Sequence, residues 1–301
     1  MADETRLVVP ETLHGARVDK AIAELLGVSR STARQLVERG VTVSERVVDA
    51  SEKVDAGAVI MTPIPEVEPE LEAEPLEFGV LYEDEHLLVI DKPPGVVVHP
   101  GTGRTRGTLA GGLLHRYPDI AGVGDPGRWG LIHRLDRDTS GALLVARDDD
   151  TYRALVSDLK HRRVRRVYLA LVHGLVGSAT GTIDAPIGRD PTRPMKQALN
   201  HDGRPARTHY ELLRLYTESD CSLLRVTLET GRTHQIRVHL AAIDHPVVGD
   251  FVYDPRPHRT EAPRTFLHAA ELGFTHPITG EHMEVRSPLP ADLQDTLDAL
   301  G

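Results

Sequence analysis

The sequence predicts an α+β protein built from a small N-terminal domain and a larger C-terminal domain. In some segments apolar residues recur at helical spacing, and in others they form short runs typical of strands. An acidic stretch with three prolines, residues 65–77 (PEVEPELEAEPLE), separates the two parts. An acidic interaction segment is the alternative, but this composition favours an extended linker. We therefore expect domains at 1–64 and 78–301, joined by a linker at 65–77.

Composition excludes several classes of protein. The 301 residues are 40% hydrophobic and contain no apolar run long enough for a membrane span. The N-terminus (MADETRLVVPETL) carries acids and lacks the apolar core of a secretion signal. The single cysteine, Cys221, excludes an intramolecular disulfide and a cysteine-rich metal site. We expect a cytoplasmic protein that does not contact a membrane.

The formal net charge of −10 at first argues against a nucleic-acid partner. However, residues 66–85 hold eight Glu and one Asp without any Lys or Arg, so this segment carries nearly all of the excess. Residues 158–166 (DLKHRRVRR) instead hold five basic residues and one Asp. Local patches determine where an anionic polymer binds, so RNA stays a candidate partner.

The N-terminal domain is predicted to begin with two amphipathic helices. The first runs from Arg17 to Leu26, and the second begins near Ser29 or Ser31 and ends before Gly40. Valines that follow indicate short strands. Basic residues on the two helices are either a solvated face or an RNA-binding surface. They are Lys20, Arg30, Arg34 and Arg39.

Residues 17–48 (RVDKAIAELLGVSRSTARQLVERGVTVSERVV) resemble the S4-type RNA-binding domain, which also occurs in a small-subunit ribosomal protein. The resemblance implies that the basic second helix contacts RNA, with Lys20, Arg30 and Arg34 as binding residues. The usual Asn-Gly turn after the Val-x-Val strand is replaced here by Ser44-Glu45-Arg46. An acid at this turn is expected to weaken RNA contact there.

In the larger domain the apolar patterns predict alternating strands and helices. Helices are expected at 108–115, from a cap at Asp149 or Asp150 to about 160, from Ile236 onward, and at 289–300. Strands are expected at 80–83, 86–91, 131–132, 142–146, 166–174, 208–216 and 222–230. Residues 255–264 (PRPHRTEAPR) are expected to be a surface insertion.

Residues 130–146 (GLIHRLDRDTSGALLVA) place a dense polar block between two apolar runs. Such loops on a stiff scaffold often carry function. Asp136 lies between Arg134 and Arg137, which favour its ionised form, and an oriented carboxylate can act as nucleophile or base. The alternative is a salt-bridged turn in which Asp138 and Thr139 cap the loop.

A second polar stretch, residues 229–240 (ETGRTHQIRVHL), lies where a strand gives way to a helix. Gly231 makes the turn, and Arg232 is placed to project into a cleft. His234 and His239 are five residues apart, without an intervening Glu or a thiolate. This spacing differs from the i, i+4 pair of zinc sites, so we predict no metal site.

The sequence HRLD followed by DTSG, residues 133–141, resembles the catalytic motif of the RluA/RluD family of pseudouridine synthases. Other segments follow the same family in the same order. They are 83–101 (EDEHLLVIDKPPGVVVHPG), Arg165–Tyr168, 230–237 (TGRTHQIR), 245–253 (HPVVGDFVY) and 266–281. The resemblance implies a mixed, mainly antiparallel central sheet with flanking helices and a cleft. It also implies the isomerisation of uridine to pseudouridine in RNA, most plainly large-subunit (23S) ribosomal RNA, by a monomer.

The resemblance also implies site roles. Asp136 would be the catalytic carboxylate, oriented by an ion pair with Arg232, and Tyr168 would stack on the uracil and help remove the carbon 5 proton. Arg134 would hold the flipped nucleotide, because such enzymes extrude the target base. Further basic residues would contact RNA phosphates: Lys160, Arg162, Arg163, Arg165 and Arg166. Neither a metal nor another cofactor is implied.

Three routes stay open for Asp136, namely attack on the ribose, attack on the base and removal of a ribose proton. Two other functions also stay open. One is an RNA-binding or ribosome-assembly factor without chemistry, and the other is a carboxylate-dependent nucleoside hydrolase that releases free uracil.

Overall fold

The computed structural model describes residues 4–28, 30–64, 71–99, 106–124, 129–193, 196–254 and 260–301. The chain forms two compact units, Met1–Glu70 and Leu71–Gly301. Within the described ranges, the longest helix has 12 residues, and none has the length and apolar character needed to cross a membrane.

The first unit packs two helices against a small antiparallel sheet. Its helices are α1 (Val18–Leu26) and α2 (Arg30–Glu38). Its strands are β1 (Glu4–Val8), β2 (Thr42–Val43), β3 (Arg46–Val47) and β4 (Val59–Pro63), in the order β1-β4-β2-β3. Apolar residues of both helices are buried with Ile60 of β4, as the helical spacing predicts. Ser29, one expected start of α2, lies outside the described residues.

Strands β2 and β3 are joined by a two-residue turn, Ser44-Glu45, in which both residues have positive φ (47° and 69°). A hairpin of this length favours turns with left-handed central residues, for which Asn-Gly is the preferred sequence. The structure therefore keeps the turn that the family sequence usually makes, but with two residues that are less suited to its backbone conformation.

The second unit is built on one large sheet. The strands of the second unit are β5 (Gly79–Glu83), β6 (Leu87–Lys92), β7 (Ser140–Ala146), β8 (Arg165–His173), β9 (Thr180–Asp184), β10 (Ile187–Arg189), β11 (Gln197–Leu199), β12 (Arg207–Tyr216), β13 (Cys221–Leu228), β14 (Leu267–Thr275) and β15 (His282–Arg286). Strands β10 and β11 pair with each other in a separate small sheet, and the others form the large sheet. Its helices are α3 (Leu109–Arg116), α4 (Asp149–Lys160), α5 (Gln235–Ala242) and α6 (Ala291–Asp298).

The large sheet has the order β5-β6-β7-β14-β8-β13-β12-β9, with β15 also paired to β14. Within the described residues only β7 and β14 pair in parallel, so the predicted mixed, mainly antiparallel sheet is confirmed. The parallel contact pairs Ser140 with His268 and Gly141 with Ala269, and a Cβ atom at Gly141 would lie 2.3 Å from the Ala269 carbonyl oxygen. The φ of Gly141, +112°, also suits glycine.

Both faces of the central strands are buried. Leu88 and Ile90 of β6 face one apolar cluster, and Leu87 and Val89 face another. Helix α3 packs into the first cluster through Leu109 and Leu113, and α4 packs into the second through Tyr152 and Leu155. Strands covered on two faces are continuously apolar, which explains the unbroken runs in the sequence.

Two local predictions were wrong. Residues 131–132 form no strand, and only an isolated bridge joins Leu131 to Val145. The His133 ring nitrogen Nε2 accepts the Leu144 amide hydrogen (3.2 Å) and so ends the pairing. The N-cap of α4 is Asp148, whose Oδ1 accepts a hydrogen bond from the Thr151 amide (2.8 Å).

The acidic stretch divides at the unit boundary. Residues 65–70 lie outside the described residues, whereas 71–77 belong to the second unit. Leu71 and Leu76 pack on its core, and the Glu74 amide donates to the Gly111 carbonyl (3.2 Å). Glu74 also pairs with Arg106 (3.5 Å). The described part of the predicted linker is therefore packed against the core and α3 of the second unit rather than extended in solvent.

Candidate active site

A cavity of about 520 Å³ lies in the second unit, beside β8. Four segments form most of its wall: the loop 132–139, the C-terminal end of α4, the start of β8, and the junction between β13 and α5. Arg204 and Leu267 complete it. Seven basic side chains and two acidic ones line it. They are Arg134, Lys160, Arg162, Arg166, Arg204, Arg232 and Arg237, with Asp136 and Glu229. The cavity is thus strongly positive within an acidic chain, which favours an anionic ligand.

Asp136 is held by an arginine from α5. The Arg237 Nη1 atom donates to Asp136 Oδ2 (3.2 Å), and the same guanidinium binds Asp250 through Nε (2.6 Å) and Nη2 (2.9 Å). The side chains of Arg237 and Asp250 are 9% and 1% exposed, whereas that of Asp136 is 19% exposed and lines the cavity. Asp136 therefore presents a fixed carboxylate to whatever enters.

The expected ion pair between Arg232 and Asp136 is not formed. Arg232 precedes α5, and its Nε atom donates instead to the Pro205 carbonyl (3.0 Å). Arg237 lies on the buried side of α5, and its side chain reaches the carboxylate. Both arginines line the cavity, but the partner of Asp136 is Arg237 and not Arg232.

The electrostatics favour a permanently charged Arg237. Burial by itself lowers the pKa of this guanidinium, but the hydrogen bonds and charges of Asp250 and Asp136 outweigh burial and raise it. The Arg237 guanidinium also lies over the Tyr253 ring, 5.0 Å from the ring centre. A guanidinium that cannot lose its proton is a permanent hydrogen-bond donor to the Asp136 and Asp250 carboxylates.

Tyr168 lies in the middle of β8, between Val226 of β13 and Ala269 of β14, and it is 6% exposed. It lines the same cavity as Asp136. Burial raises the pKa of its phenol, and Arg166 opposes this effect. The hydroxyl is therefore protonated at neutral pH.

Two buried cations hold the loop that carries Asp136. Lys92 is fully buried, and its Nζ donates to the carbonyls of Pro93 (2.7 Å), Val96 (2.9 Å) and Arg137 (2.9 Å). Arg264 donates to the Asp138 carbonyl (2.8 Å) and to Ser140 Oγ (3.0 Å). These bonds fix the loop immediately after Asp136, at residues 137, 138 and 140, so that its carboxylate is preorganised.

Arg264 is the last residue of 255–264, the segment predicted to be a surface insertion, but its side chain is largely buried. Residues 255–259 lie outside the described residues, but the Arg264 guanidinium binds Asp292 at the start of α6 (2.7 and 3.2 Å). The end of this segment therefore joins the C-terminal helix to the Asp136 loop.

The remaining polar residues of the loop have separate roles. Arg137 pairs with Asp138 (3.0 Å) and not with Asp136. Burial and the charge of Arg166 lower the pKa of His133 to about 3, so its ring is neutral and accepts the Leu144 amide. Arg134 is exposed and lines the cavity, where its side chain is available to a ligand.

The basic side chains of residues 158–166 do not all face the cavity. Lys160, Arg162 and Arg166 line the cavity, whereas Arg163 pairs with Asp158 (2.5 Å). Arg165 pairs with Glu271 and Glu284, because alternate residues of β8 point to opposite faces of the sheet. Arg162 also forms an ion pair with Glu229. Arg163 and Arg165 are thus committed to ion pairs away from the cavity.

In the first unit, Lys20 on α1 and Arg34 on α2 are exposed. Lys20 is 3.9 Å from Glu24 on its own helix, a solvent-exposed pair that contributes little. Arg30 begins α2, and its side chain lies outside the described residues. The two described side chains are therefore accessible to a polyanion.

Sequence reasoning missed four residues: Lys92, Arg237, Asp250 and Arg264. Each acts on the Asp136 loop from a distant part of the chain, and three of them lie inside segments that resemble the family, 83–101, 230–237 and 245–253. The available signal was a charged residue inside an apolar segment, such as Lys92 after LLVID. A charge in such a position is buried and needs partners.

Comparison with known proteins identifies the two parts of the chain. Residues 86–242 match the RNA pseudouridylate synthase family, and residues 16–60 match the S4 domain. The “Uncharacterized RNA pseudouridine synthase” of Chloroflexus aurantiacus is 51% identical over 99% of this chain and 94% of that protein. The “Ribosomal large subunit pseudouridine synthase D” of Nitrosomonas europaea is 43% identical over 98% of this chain and 87% of that protein.

A solved structure supports the same assignment. Human RNA Pseudouridylate Synthase Domain Containing 1 superposes with a TM-score of 0.57 at 30% identity, covering 75% of this chain and 97% of its own. The family match spans more than half of the chain, and it includes the loop, strand and helix that build the cavity. The chain therefore belongs to the RNA pseudouridylate synthase family and is an RNA pseudouridine synthase with an N-terminal S4 domain.

Proposed function

We propose that this enzyme isomerises specific uridines of large-subunit (23S) ribosomal RNA, in the cytoplasm and as a monomer, with Asp136 as the catalytic carboxylate. The observation that carries the proposal is the Asp136–Arg237–Asp250 arrangement at the wall of a positive cavity that also contains Tyr168. Relatives named for the large ribosomal subunit, at 39–43% identity over 94–100% of this chain, support the choice of RNA.

In this proposal the target uridine leaves its helix and enters the cavity, with exposed Arg134 holding it there. Asp136 stands beside the glycosidic bond while uracil is detached at nitrogen 1, rotated, and rejoined through carbon 5. The fixed carboxylate supports this role because its partner Arg237 is itself anchored by Asp250.

Tyr168 is assigned two functions in the proposal: its ring stacks on uracil, and its hydroxyl assists removal of the carbon 5 proton. Because burial raises the pKa of the phenol, the hydroxyl starts protonated and must transfer its own proton before it accepts another. Tyr168→Phe separates the functions. We expect it to keep RNA affinity while turnover falls, and full turnover would limit Tyr168 to stacking.

The deciding experiment maps pseudouridine in ribosomal RNA with and without this gene, by carbodiimide treatment and primer extension. Loss of discrete stops in large-subunit RNA, restored by wild-type protein and not by Asp136→Asn, is the expected result. Persistence of every stop would contradict the ribosomal assignment, and transfer RNA would be tested next.

Two controls address the other functions. Asp136→Asn is isosteric, so it should bind RNA normally and show no turnover. If the protein were a binding factor without chemistry, the wild type and Asp136→Asn would have the same cellular effect, and neither would form pseudouridine. A nucleoside hydrolase would release free uracil and lower the RNA mass, whereas isomerisation leaves the mass unchanged.

A further inference from the structure

Arg166 is a buried cation of the cavity whose guanidinium is incompletely satisfied. It is 5% exposed, and its Nε atom has no hydrogen-bond partner among the described residues. The guanidinium makes one long contact, from Nη2 to the Glu229 carbonyl (3.5 Å). Burying an ion without a partner is costly, so such a group points to a ligand.

The position of Arg166 identifies what that ligand contacts. Arg166 and Tyr168 are two residues apart on β8, so their side chains lie on the same face of the sheet, and both line the cavity. Arg166 therefore lies beside the ring proposed to stack on uracil, within reach of other groups of the same nucleotide.

The surroundings of Arg166 favour an anion over a neutral acceptor. Arg232 and Arg204 also line the cavity, and both Arg166 and Arg204 lie close enough to Arg232 to lower its pKa, although burial contributes more. Among the ion pairs of the described residues, none involves any of these three arginines. Glu229, the nearby acid, is already bound by Arg162, Arg207 and His209. Three guanidiniums without a carboxylate match a phosphate group.

We propose that Arg166, flanked by Arg232 and Arg204, binds the phosphate group of the uridine nucleotide that occupies the cavity. This inference rests on the proposed function, because it takes uridine as the occupant. It gives Arg166 a different role from a basic residue on the protein surface that follows the RNA backbone. Arg166 binds the target nucleotide itself, inside the cavity.

Gly231 offers a way to displace Arg166 without removing its charge. A Cβ atom at Gly231 would lie 2.6 Å from Arg166 Nη1, closer than real side chains approach. The φ of Gly231 is not in the left-handed region, so alanine is tolerated by its backbone. Gly231→Ala is therefore expected to move the guanidinium and leave the turn intact.

The test compares binding of uridine, uridine 5′-monophosphate, uridine 3′-monophosphate and inorganic phosphate to the full chain by calorimetry. We expect one or both monophosphates to bind wild type about tenfold more tightly than uridine. This difference should vanish in Arg166→Gln and shrink in Gly231→Ala. Arg153→Gln is the matched control, because Arg153 is exposed on α4 and does not line the cavity.

Three results would overturn the inference: equal binding of uridine and both monophosphates by wild type, an unchanged difference in Arg166→Gln, or equal loss of uridine and monophosphate affinity in that variant. The last would indicate contact with the uracil instead. Inorganic phosphate that binds as tightly as the monophosphates would show an anion site without a nucleotide and would also overturn it. If Arg166→Gln does not fold, Gly231→Ala decides alone.

The two proposals fail in distinguishable ways. A monophosphate preference that depends on Arg166, combined with unchanged pseudouridine maps, would support the phosphate site and reject the ribosomal substrate. Loss of mapped stops without the gene, combined with a monophosphate preference that survives Arg166→Gln, would reject the phosphate site alone.

Discussion

Asp250 accepts two hydrogen bonds from the guanidinium of Arg237, from Nε to Oδ2 (2.6 Å) and from Nη2 to Oδ1 (2.9 Å). The remaining nitrogen, Nη1, donates to Asp136. Asp250 also accepts the amide hydrogens of Val252 and Tyr253 at the same Oδ1 (3.1 and 3.2 Å). Asp250, in the loop that follows α5, therefore orients Arg237, and Arg237 in turn orients Asp136.

Asp250→Asn should impair turnover without impairing RNA binding. The amide keeps one acceptor oxygen, so the fork on Arg237 is half lost and the guanidinium is free to turn. Misplacement of a catalytic group by about 1 Å can cost about 100-fold in rate, and we expect kcat to fall by roughly that factor. Single-turnover kinetics with saturating enzyme would measure it. A variant with normal kcat would show that Asp136 is oriented by other contacts.

Arg237 and Arg232 should differ sharply when each is replaced by alanine. Arg237→Ala leaves two buried or half-buried carboxylates without a cation, so turnover should be lost and the protein destabilised. Arg232→Ala should weaken substrate binding, because its guanidinium faces the cavity and does not contact Asp136. Separate measurement of kcat and KM tests this. A larger kcat loss in Arg232→Ala than in Arg237→Ala would contradict the structure.

Lys92 should make the free energy of unfolding rise with pH above about pH 7. Burial lowers its pKa from 10.5 to about 7 in the folded protein, whereas the unfolded chain keeps the ordinary value. Below about pH 7 both states are protonated, and this contribution is constant. Between about 7 and 10.5 the unfolded state binds more protons, so the free energy of unfolding rises with pH.

Urea unfolding of wild type and Lys92→Met at several pH values would isolate this contribution. The methionine variant lacks the titrating amine and should not show the rise, although it is less stable throughout because three loop carbonyls lose their donor. Parallel pH profiles for the two proteins would rule out a lowered pKa at Lys92.

The Ser44-Glu45 turn of the first unit should become more stable when it is replaced by Asn-Gly, the sequence that such turns prefer. Replacing Ser44-Glu45 by Asn-Gly removes left-handed strain from two residues and should stabilise the hairpin by about 1 kcal/mol. Hydrogen exchange of the β2 and β3 amides in the full chain should slow by about fivefold. Glu45→Ala is the control, since it removes the charge but keeps the strain. Equal protection in both variants would assign the effect to charge.

Much of the site could be predicted from sequence because the relevant residues are close together along the chain. Asp136 and Arg134 share one loop between apolar runs, and Tyr168 lies in the segment Arg165–Tyr168 that resembles the family. The cavity does bring these three together. The positive patch was predicted as one surface, but strand alternation divides it, so that Arg166 enters the cavity and Arg165 does not.

The sequence by itself determined the two-part organisation and the segment that carries Asp136, because these depend on local apolar spacing and on motifs of adjacent residues. The mixed sheet was expected from the family resemblance that those motifs carry. Only the tertiary structure decided which charged residues hold Asp136 and its loop in place. Arg237, Asp250 and Arg264 are more than 100 residues away in sequence, and Lys92 is 44 residues away. Hydrogen bonds act over about 3 Å in space, so partners brought together by the fold leave no mark in local spacing.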